Sequence, residues 1–454
     1  MVDRYDVIVI GSGIGGLAAA LCLAYQGKKL LLIEKNKTLG GRLTSFEKDG
    51  FKVDLGVHVI SRSDKGPIGE ILRKVGIQNP VSYTKVRPLS SYRGKTFIFP
   101  HDLNQMVPEA DFKATKAFLS DINAMADEKV RSYDDTDLKT FLSGYTKDPF
   151  VHACIWNICA TYLCLPSWLA SAGEFMRCLR MEARSRSSGY PEGGCAAIVN
   201  TLATGILRYG GQIITGLAVD QIEVQAGSVT SVVAGEKIYR ASMIVSNADI
   251  KNTVINLVGP EHFPVEYVGF VRGLKYSWCG PVIRVALDTP LTDIKMLTQF
   301  GTTDQEGYYE RLSTGSIPPE LNLFIVIPSN FSPSVAPQGR QLVCMSSPMP
   351  LETPREYSEA IMEAMLDTLE KYVPHLREHT LWVSTMPIHG LDRIAGENGA
   401  GIGIGQMPGQ CGEKRPKIET PLQGLYIVGA EAGGTGVGTE LAVNSALEFI
   451  RDHT

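Results

Sequence analysis

The chain has 454 residues, of which 44% are hydrophobic and 20% are charged, a composition typical of soluble globular proteins. Its 44 basic and 48 acidic residues give a net charge of −4, with no lysine- or arginine-rich block, which argues against nucleic-acid binding. A chain of this length exceeds one ordinary hydrophobic core, so two or more domains are expected.

Cysteine usage and apolar runs indicate the compartment. The nine cysteines are an odd number and show no disulfide framework, which favours a reducing compartment. No apolar run reaches about 18 residues, and the N-terminus lacks a signal-peptide layout, so neither a membrane-spanning helix nor secretion is expected. We therefore predict a cytoplasmic protein, with peripheral membrane contact as an alternative.

The first predicted elements are a strand, a glycine loop and a helix. Val7–Ile10 is a continuous apolar run, as in strands buried on both faces of a parallel sheet. The following G-x-G-x-x-G spacing permits a tight turn, a close approach to a pyrophosphate and close helix packing, and the helix from about Ile14 to Gln26 points its N–H groups at the phosphates. The predicted contacts are Gly11, Gly13, Ile14, Gly15 and Gly16.

A second strand, Lys29–Ile33, ends at an acidic residue, Glu34. An acid about 20 residues after such glycines accepts hydrogen bonds from a ribose, and Lys35 follows it directly. The strand, loop, helix and acid together predict a dinucleotide site. The alternative is a glycine-rich turn without a ligand.

A second glycine pair, Gly40-Gly41, stands beside Arg42 and suits another close contact to phosphate. The whole arrangement resembles the flavoprotein group that includes phytoene desaturases, amine oxidases and protoporphyrinogen oxidase. This resemblance implies that the dinucleotide is FAD.

Asp54-Leu-Gly-Val-His58 resembles the acid-x-Gly-x-His turn of phytoene desaturases and carotenoid isomerases. The resemblance implies that Gly56, Val57 and His58 lie beside the flavin. His58 is a candidate acid or base. A buried histidine bonded to the backbone is an equally good interpretation.

The next segment predicts helices over Glu109–Ala126 and Asp135–Tyr145. Val151–Leu179 is rich in apolar and aromatic residues, which suits a channel for an apolar substrate, a membrane contact or the core of a helical insertion. Cys154, Cys159 and Cys164 recur every five residues, so their sulfurs diverge around a helix and packing is favoured over metal binding.

In the central part, Tyr190–Gly194 resembles the family's P-x-G-G entry to the returning segment, although a plain turn fits it equally well. Strand–turn–strand patterning follows from Gly210 to Val233. The resemblance implies a strand near Val219 that pairs with the adenine through its backbone. It also implies that Asn247 and Ala248, within Ser246–Asp249, return the chain to the dinucleotide fold.

The second insertion mixes strand-like runs, Val282–Leu287 and Leu323–Ile327, with a helix from Glu356 to Tyr372. Gly396–Gly412 lacks the strand-then-helix context of a nucleotide loop, so we predict a mobile active-site loop. Arg415-Pro416 matches an Arg-Pro pair of the resembling family, and Arg415 is the second catalytic candidate beside His58.

The last predicted elements are a strand, Leu425–Val428, a glycine loop and a helix from about Thr439 to Arg451. In the resembling family this element closes over the flavin, its acid binding the ribityl chain and its helix N-terminus facing the isoalloxazine ring. The corresponding cofactor contacts here are Gly429, Glu431, Gly436, Val437 and Gly438.

These elements predict an α/β fold with a discontinuous, Rossmann-like FAD-binding domain and an inserted α+β substrate domain. We assign the FAD-binding domain to residues 1–95, 186–255 and 385–454. The substrate domain takes residues 96–185 and 256–384.

The predicted function is a FAD-dependent oxidoreductase that acts on a C–C or C=C unit of an apolar, isoprenoid-like molecule, by hydride transfer at flavin N5. The alternatives are an amine or porphyrinogen-type oxidase, a non-redox flavin isomerase, an electron-transfer subunit and a non-enzymatic carrier of prenyl lipids. No metal is expected. The sequence leaves open the electron acceptor or donor (quinone, oxygen, NAD(P)H or a redox protein) and whether the chain forms a homo-oligomer or a complex.

Overall fold

The structure, a computed structural model, describes residues 3–78, 81–394, 396 and 399–454. Its strands are β1 Asp3–Arg4, β2 Val7–Ile10, β3 Leu30–Glu34, β4 Ser45–Lys48, β5 Phe51–Asp54, β6 Tyr83–Lys85, β7 Leu89–Tyr92, β8 Lys95–Phe97, β9 Gly189–Pro191, β10 Gln212–Thr215, β11 Gln221–Gln225, β12 Ser228–Ala234, β13 Lys237–Arg240, β14 Met243–Ser246, β15 Val282–Leu287, β16 Met296–Phe300, β17 Leu323–Val326, β18 Gln341–Ser346, β19 Thr380–Met386 and β20 Leu425–Ile427.

The α-helices are α1 Ile14–Tyr25, α2 Pro67–Lys74, α3 Glu109–Ala124, α4 Asp127–Arg131, α5 Leu138–Ser143, α6 Pro149–Leu163, α7 Ala172–Ser185, α8 Cys195–Arg208, α9 Val265–Gly273, α10 Gln305–Ser313, α11 Pro328–Phe331, α12 Ser358–Glu370 and α13 Gly438–His453. A π-helix spans Asn252–Val258, and short 3-10 turns span Gly41–Leu43, Ser63–Lys65, Leu103–Gln105, Pro260–His262, Pro333–Val335, Arg355–Tyr357, Gly390–Arg393 and Gly412–Lys414.

A five-stranded parallel sheet is built from both ends of the chain, in the order β10-β3-β2-β14-β20. Its inner strands β3, β2 and β14 are short, mainly apolar runs because both of their faces are covered. Along β2, Val7 and Val9 pack into the core that also holds α1, α8 and α13, whereas Ile8 and Ile10 pack into the core on the other face. This arrangement confirms the predicted Rossmann-like fold around the first glycine loop.

A second, seven-stranded mixed sheet has the order β19-β15-β18-β17-β16-β7-β8. Its pairs are antiparallel except β16 with β7. Together with α3–α7, α10 and α12 it surrounds the largest apolar core. Its strands β15–β18 come from the second predicted insertion, and β19 crosses the predicted end of that insertion at residue 384. β7 precedes the predicted boundary after residue 95, and β8 straddles it.

Several predicted elements are shorter than expected. The helix predicted over Glu109–Ala126 ends at Ala124, because Met125 is extended and a new short helix begins at Asp127. In the segment Asp135–Tyr145, only Leu138–Ser143 is helical, and the Asp137 carboxylate caps it by accepting from Thr140 N.

Val219 itself lies in no strand, although β11 begins close by at Gln221, and the pairing of this segment with an adenine stays a prediction. Val219 lies in the connection between β10, which ends at Thr215, and β11, which begins at Gln221. The two strands also join different sheets: β10 extends the parallel sheet, and β11 pairs with β12 in a separate four-stranded sheet. The chain therefore crosses from one sheet to the other at Val219, and the antiparallel pair in this segment is formed by β11 and β12.

Candidate functional site

A cavity of about 770 Å³ lies at the carboxyl ends of the parallel strands. Ile10, Glu34 and Asn247, at or just after the ends of three neighbouring strands, line it. Met296 and Phe324 of the seven-stranded sheet form another part of its wall. Ligands of doubly wound α/β folds bind at this edge of the sheet. The cavity is therefore the candidate functional site.

The two predicted glycine loops meet at this cavity. Gly13 and Gly40 form a parallel backbone bridge, and Gly40 N donates to Ser12 O at 3.1 Å. Gly40 and Gly41 both have positive φ, and a Cβ on Gly41 would lie 3.3 Å from Gly13 Cα. Their backbones therefore form one open cradle at the N-terminus of α1, as close binding of phosphate requires.

Some predicted contact glycines shape this cradle without lining it. A Cβ on Gly16 would clash with Gly11 O, so Gly16 allows α1 to pack against β2. A Cβ on Gly429 would clash with the Asn247 amide. Gly56 and Gly436 also lie outside the lining, whereas the other predicted cofactor residues are part of it: Gly11, Gly13, Ile14, Gly15, Glu34, Lys35, Gly40, Gly41, Arg42, Val57, His58, Val219, Asn247, Ala248, Glu431, Val437 and Gly438.

Glu34 ends β3 at the cavity, as expected of a ribose-binding acid. Its Oε2 accepts from Ser12 N at 2.8 Å and Ser12 Oγ at 2.6 Å. Its Oε1 accepts from Asn36 N and Asn36 Nδ2, both at 2.8 Å. The carboxylate is thus fixed by the chain, and a ribose hydroxyl would compete with the Asn36 amide for it. Val219 lines the same cavity from the connection after β10.

Three charged side chains that interact electrostatically, Arg42, Asp249 and Glu431, are part of the cavity lining. Arg42 Nε donates to Ala400 O at 3.1 Å, and Arg42 is electrostatically coupled to Glu431 and Asp249. Glu431 is 2% exposed, and within the described residues its Oε1 has no hydrogen-bond partner. Burial, and secondly the Asp249 charge, raise the pKa of Glu431 to about 8.

Asp249 and Tyr276 were missed as site residues. The Tyr276 hydroxyl donates to Asp249 Oδ2 at 2.5 Å, and Asn252 N donates to Asp249 Oδ1 at 2.6 Å. Both residues line the cavity. Asp249 ends the Ser246–Asp249 segment, which was already predicted to return to the dinucleotide fold, so its role could have been predicted. Tyr276 belongs to no recognised motif.

The C-terminal helix α13 begins at the cavity. Val437, Gly438 and Thr439 line it, so a second helix N-terminus faces the site, as the resemblance implied. The preceding loop is fixed from the helical insertion: Glu174 Oε1 accepts from Thr435 Oγ1 at 2.6 Å and from Gly436 N at 3.1 Å.

Arg415 is placed differently from a catalytic residue. It is buried, lies outside the cavity lining, and its Nε and Nη2 donate to Gly433 O at 2.6 Å and Ala430 O at 2.7 Å. The guanidinium therefore fixes the loop between β20 and α13. This geometry supports a positioning role, and the predicted catalytic role of Arg415 stays a prediction.

His58 lies in the cavity wall, and its Nδ1 is buried without a hydrogen-bond partner among the described residues. Burial lowers the pKa of His58, the Arg284 guanidinium acts in the same direction, and Asp54 opposes them. The imidazole is therefore neutral at pH 7, and one of its two ring nitrogens carries no proton.

His58, Asp54 and Cys195 place potential metal-ligating atoms within 4.8 Å of one another. The Asp54 oxygens already accept from Tyr190 OH at 2.6 Å, Ser45 Oγ at 2.7 Å and Cys195 N at 3.0 Å. Burial raises the pKa of the Cys195 thiol well above its usual value, so it stays protonated. The cluster fits a buried hydrogen-bond network better than a cation site.

The part of the cavity formed by the seven-stranded sheet and its neighbours is mainly apolar. Its side chains come from loops, sheet strands and α6: Val57, Val59, Val86, Pro88, Tyr162, Met296 and Phe324. One acid interrupts this wall. Glu182 of α7 accepts hydrogen bonds from Ser61 and Ser188, which also line the cavity.

The segment Val151–Leu179 is mostly core. Cys154 and Cys159 are buried, as the packing interpretation predicted, and so are Trp156 and Phe175. Its contribution to the cavity is confined to the end of α6, namely Thr161, Tyr162 and Cys164.

The glycine-rich stretch Gly396–Gly412 borders the site, although residues 397 and 398 lie outside the described residues. Gly401 N donates to Trp278 O at 2.9 Å, and Ser277 N donates to Gly403 O at 2.8 Å. Gly396, Gly401 and Ile402 line the cavity. The predicted position beside the site is observed, and its predicted mobility stays a prediction.

The donor and acceptor set fits FAD. The backbone cradle at Gly13 and Gly40 suits a pyrophosphate, and the unpartnered Glu431 oxygen suits hydroxyl donors such as those of a ribityl chain. The apolar wall leaves room for a substrate in the same cavity. In the part of the chain that the structure describes, no helix is long and apolar enough to cross a membrane.

Known proteins match the chain in sequence and in fold. The family of flavin containing amine oxidoreductases matches residues 14–448. The chain is 22% identical to 4,4'-diapolycopen-4-al dehydrogenase of Metabacillus indicus, over 97% of this chain and 96% of that one. It is 24% identical to the lycopene-forming phytoene desaturase of Pseudescherichia vulneris, over 93% and 94%. An oxidoreductase from Methanosarcina mazei has the same fold, with a TM-score of 0.80 and 21% identity over 99% of this chain and 100% of that chain.

Proposed function

Because the chain belongs to the family of flavin containing amine oxidoreductases and is thus a FAD-dependent oxidoreductase, we propose that it acts on C–C or C=C bonds of an apolar, isoprenoid-like molecule. The observation that carries this proposal is the continuity of the cavity. The same cavity extends from the backbone cradle at Gly13 and Gly40, which suits a dinucleotide, to the apolar wall that contains Met296 and Phe324.

FAD supplies the hydride acceptor when it is bound. The residues of the chain would bind the cofactor, exclude water, accept a proton and position the loop before α13. The Gly13–Gly40 cradle, Glu34 and Glu431 hold the dinucleotide, and the apolar wall excludes water from the substrate. Neutral His58 is the proposed group for accepting a proton, and Arg415 positions the loop before α13.

The cavity wall favours this reaction over amine oxidation. The aromatic side chains that line it are Tyr162, Tyr276 and Phe324, and within the described residues no two of them contact each other. Tyr276 is held by Asp249 instead of facing another ring. An amine oxidase would be expected to present paired aromatic rings to the amine.

The first test is the visible absorbance of the purified protein before and after denaturation. We expect a yellow protein that releases FAD. A colourless protein that also fails to take up added FAD, but binds prenyl lipid, would contradict the oxidoreductase function and support a carrier.

Anaerobic mixing then tests the substrate class. We expect saturated or partly saturated isoprenoids to bleach the flavin, whereas cyclohexylamine, a matched amine donor, leaves it oxidised. Bleaching by the amine alone would replace the proposal with amine oxidation. If oxygen, a quinone, a nicotinamide or a redox protein reoxidises the flavin, that compound is identified as the electron acceptor. If the reaction requires reduced flavin but transfers no net electrons, the protein is an isomerase.

A further inference from the structure

We propose that the substrate carries a terminal hydrogen-bond donor, a hydroxyl or an ammonium group, which the Glu182 carboxylate binds at the apolar wall of the cavity. This inference rests on the proposed function, since it specifies the substrate of the same site. It excludes a pure hydrocarbon as the preferred substrate.

The first argument is the surroundings of Glu182. Ser61 follows Val59 by two residues, and Val86 N donates to Ser188 O at 2.9 Å. The two serines that hold the carboxylate therefore lie within the same wall as these valines, and all of these residues line the cavity. Glu182 and its two serines thus form a small polar patch within a mainly apolar wall, with the Glu440 carboxylate close by.

The second argument is charge. Within the described residues, no lysine or arginine forms an ion pair with Glu182, and its two hydrogen bonds come from neutral hydroxyls. The neighbouring Arg62 pairs with Glu440 of α13 instead. A carboxylate has about four acceptor positions, so positions remain for a ligand. An apolar ligand without a donor would remove water from the acid and offer nothing in exchange.

The third argument is the backbone that presents the serines. Arg62 and Ser63, directly after Ser61, have φ values of 51° and 44°, and Arg186, two residues before Ser188, has φ 48°. Non-glycine residues adopt this left-handed region at an energetic cost, and such costs concentrate at functional sites. The segment that carries Ser61 holds two such residues, whereas Arg186 is the left-handed residue that ends α7.

The test is a ligand series titrated into the FAD-loaded protein, with the flavin difference spectrum as the measure of binding. Farnesol, farnesylamine and farnesyl methyl ether share one apolar tail and differ in the donor. We expect at least one donor-bearing ligand to bind about tenfold or more tightly than the ether. The better of farnesol and farnesylamine identifies the donor as neutral or cationic.

Glu182→Gln keeps the size of the side chain and removes its charge. We expect it to reduce the preference for the donor-bearing ligand about tenfold and to leave binding of the ether unchanged. Glu192→Gln is the matched control, because Glu192 also accepts from a serine, Ser334, but is exposed and outside the cavity. If Glu182→Gln loses its flavin, Ser188→Ala takes its place.

The outcomes separate the two proposals. Equal binding of the alcohol, the amine and the ether to the wild type would overturn the role of Glu182 and leave the apolar-substrate function standing. Equal weakening of all ligands in Glu182→Gln would also overturn it. If none of the three ligands binds to flavin-loaded protein, the isoprenoid-like substrate class fails, and the donor inference fails with it.

Discussion

At the residue scale, Glu431 combines deep burial with an unpartnered oxygen, and this makes its ionisation costly. Burial raises its pKa to about 8, whereas an unfolded glutamate titrates near ~4.3. Between these values the folded, flavin-free protein holds a proton that the unfolded chain releases. Its stability must therefore fall as pH rises through this window.

We predict that the melting temperature of flavin-free protein decreases between pH 5 and pH 8, in the window set by that pKa. Glu431→Gln should flatten this decrease, because an amide does not titrate. The exposed Glu413→Gln should behave like the wild type. Parallel curves for wild type and Glu431→Gln, measured by thermal denaturation, would contradict the assignment.

His58 gives a second prediction. Its pKa is lowered, chiefly by burial, so the imidazole gains a proton only below the usual ~6.5. If His58 accepts a proton during the reaction, the rate of flavin reduction should fall at pH values below the pKa of His58. His58→Ala should abolish this pH dependence and reduce the rate about 100-fold.

Stopped-flow flavin reduction over pH provides the measurement, with exposed His262→Ala as the control. An unchanged rate and flavin spectrum in His58→Ala would leave His58 as a buried structural histidine.

Sequence could predict residues whose type is dictated by backbone geometry or by a fixed place in a motif. Gly13, Gly40 and Glu431 are of this kind. Glu182 and Tyr276 were not predictable, because their roles depend on which segments of a helix and a loop meet across the cavity. Arg415 illustrates the opposite case: its motif marked an important position, but only the structure revealed that it contacts backbone carbonyls.

At the scale of elements, the contact between β2 and α1 depends on Gly16. We predict that Gly16→Ala forces α1 away from Gly11, lowers the free energy of unfolding by about 1–3 kcal/mol and weakens FAD binding. Gly269→Ala in α9 is the control, because a Cβ there meets nothing within 4 Å. Chemical denaturation and FAD titration measure both effects, and equal behaviour of the two variants would contradict this role.

The loop before α13 depends on Glu174 of α7. We predict that Glu174→Ala leaves Thr435 and Gly436 without their acceptor and weakens FAD binding about tenfold. Glu174→Gln, which keeps an acceptor oxygen, should retain most of the affinity. If FAD titration finds alanine and glutamine equivalent, the loop is held by other contacts.

Elements with a strong local signal were predictable, including β2, α1, β15 and the strand–loop–helix at the C-terminus. Helix ends in the first insertion were not, because Met125 breaks the helix without a proline or glycine signal. The crossing at Val219 was missed for a similar reason: short strands on either side of a turn look alike whether they pair with each other or join separate sheets. The assignment of residues to two domains stays a prediction.

At the scale of the whole molecule, the cavity takes its walls from both large sheets. A ligand that binds only the folded form adds about 2.7 kcal/mol at 100 times its Kd. We predict that FAD raises the melting temperature in a concentration-dependent way and that unfolding is a single transition. Calorimetry at several FAD concentrations tests this. Two transitions, only one of them sensitive to FAD, would indicate that the sheets unfold independently.

The parallel sheet places Val7–Ile10 and Leu425–Ile427 on either side of Met243–Ser246, and this order has a consequence during translation. A ribosome adding about 5–20 residues per second completes the first of these strands roughly 20 to 80 seconds before the last. The nascent chain thus exposes an apolar, half-paired strand edge for most of its synthesis. Chaperones are expected to engage it there, and the flavin can be captured only once the distal strand has emerged from the exit tunnel.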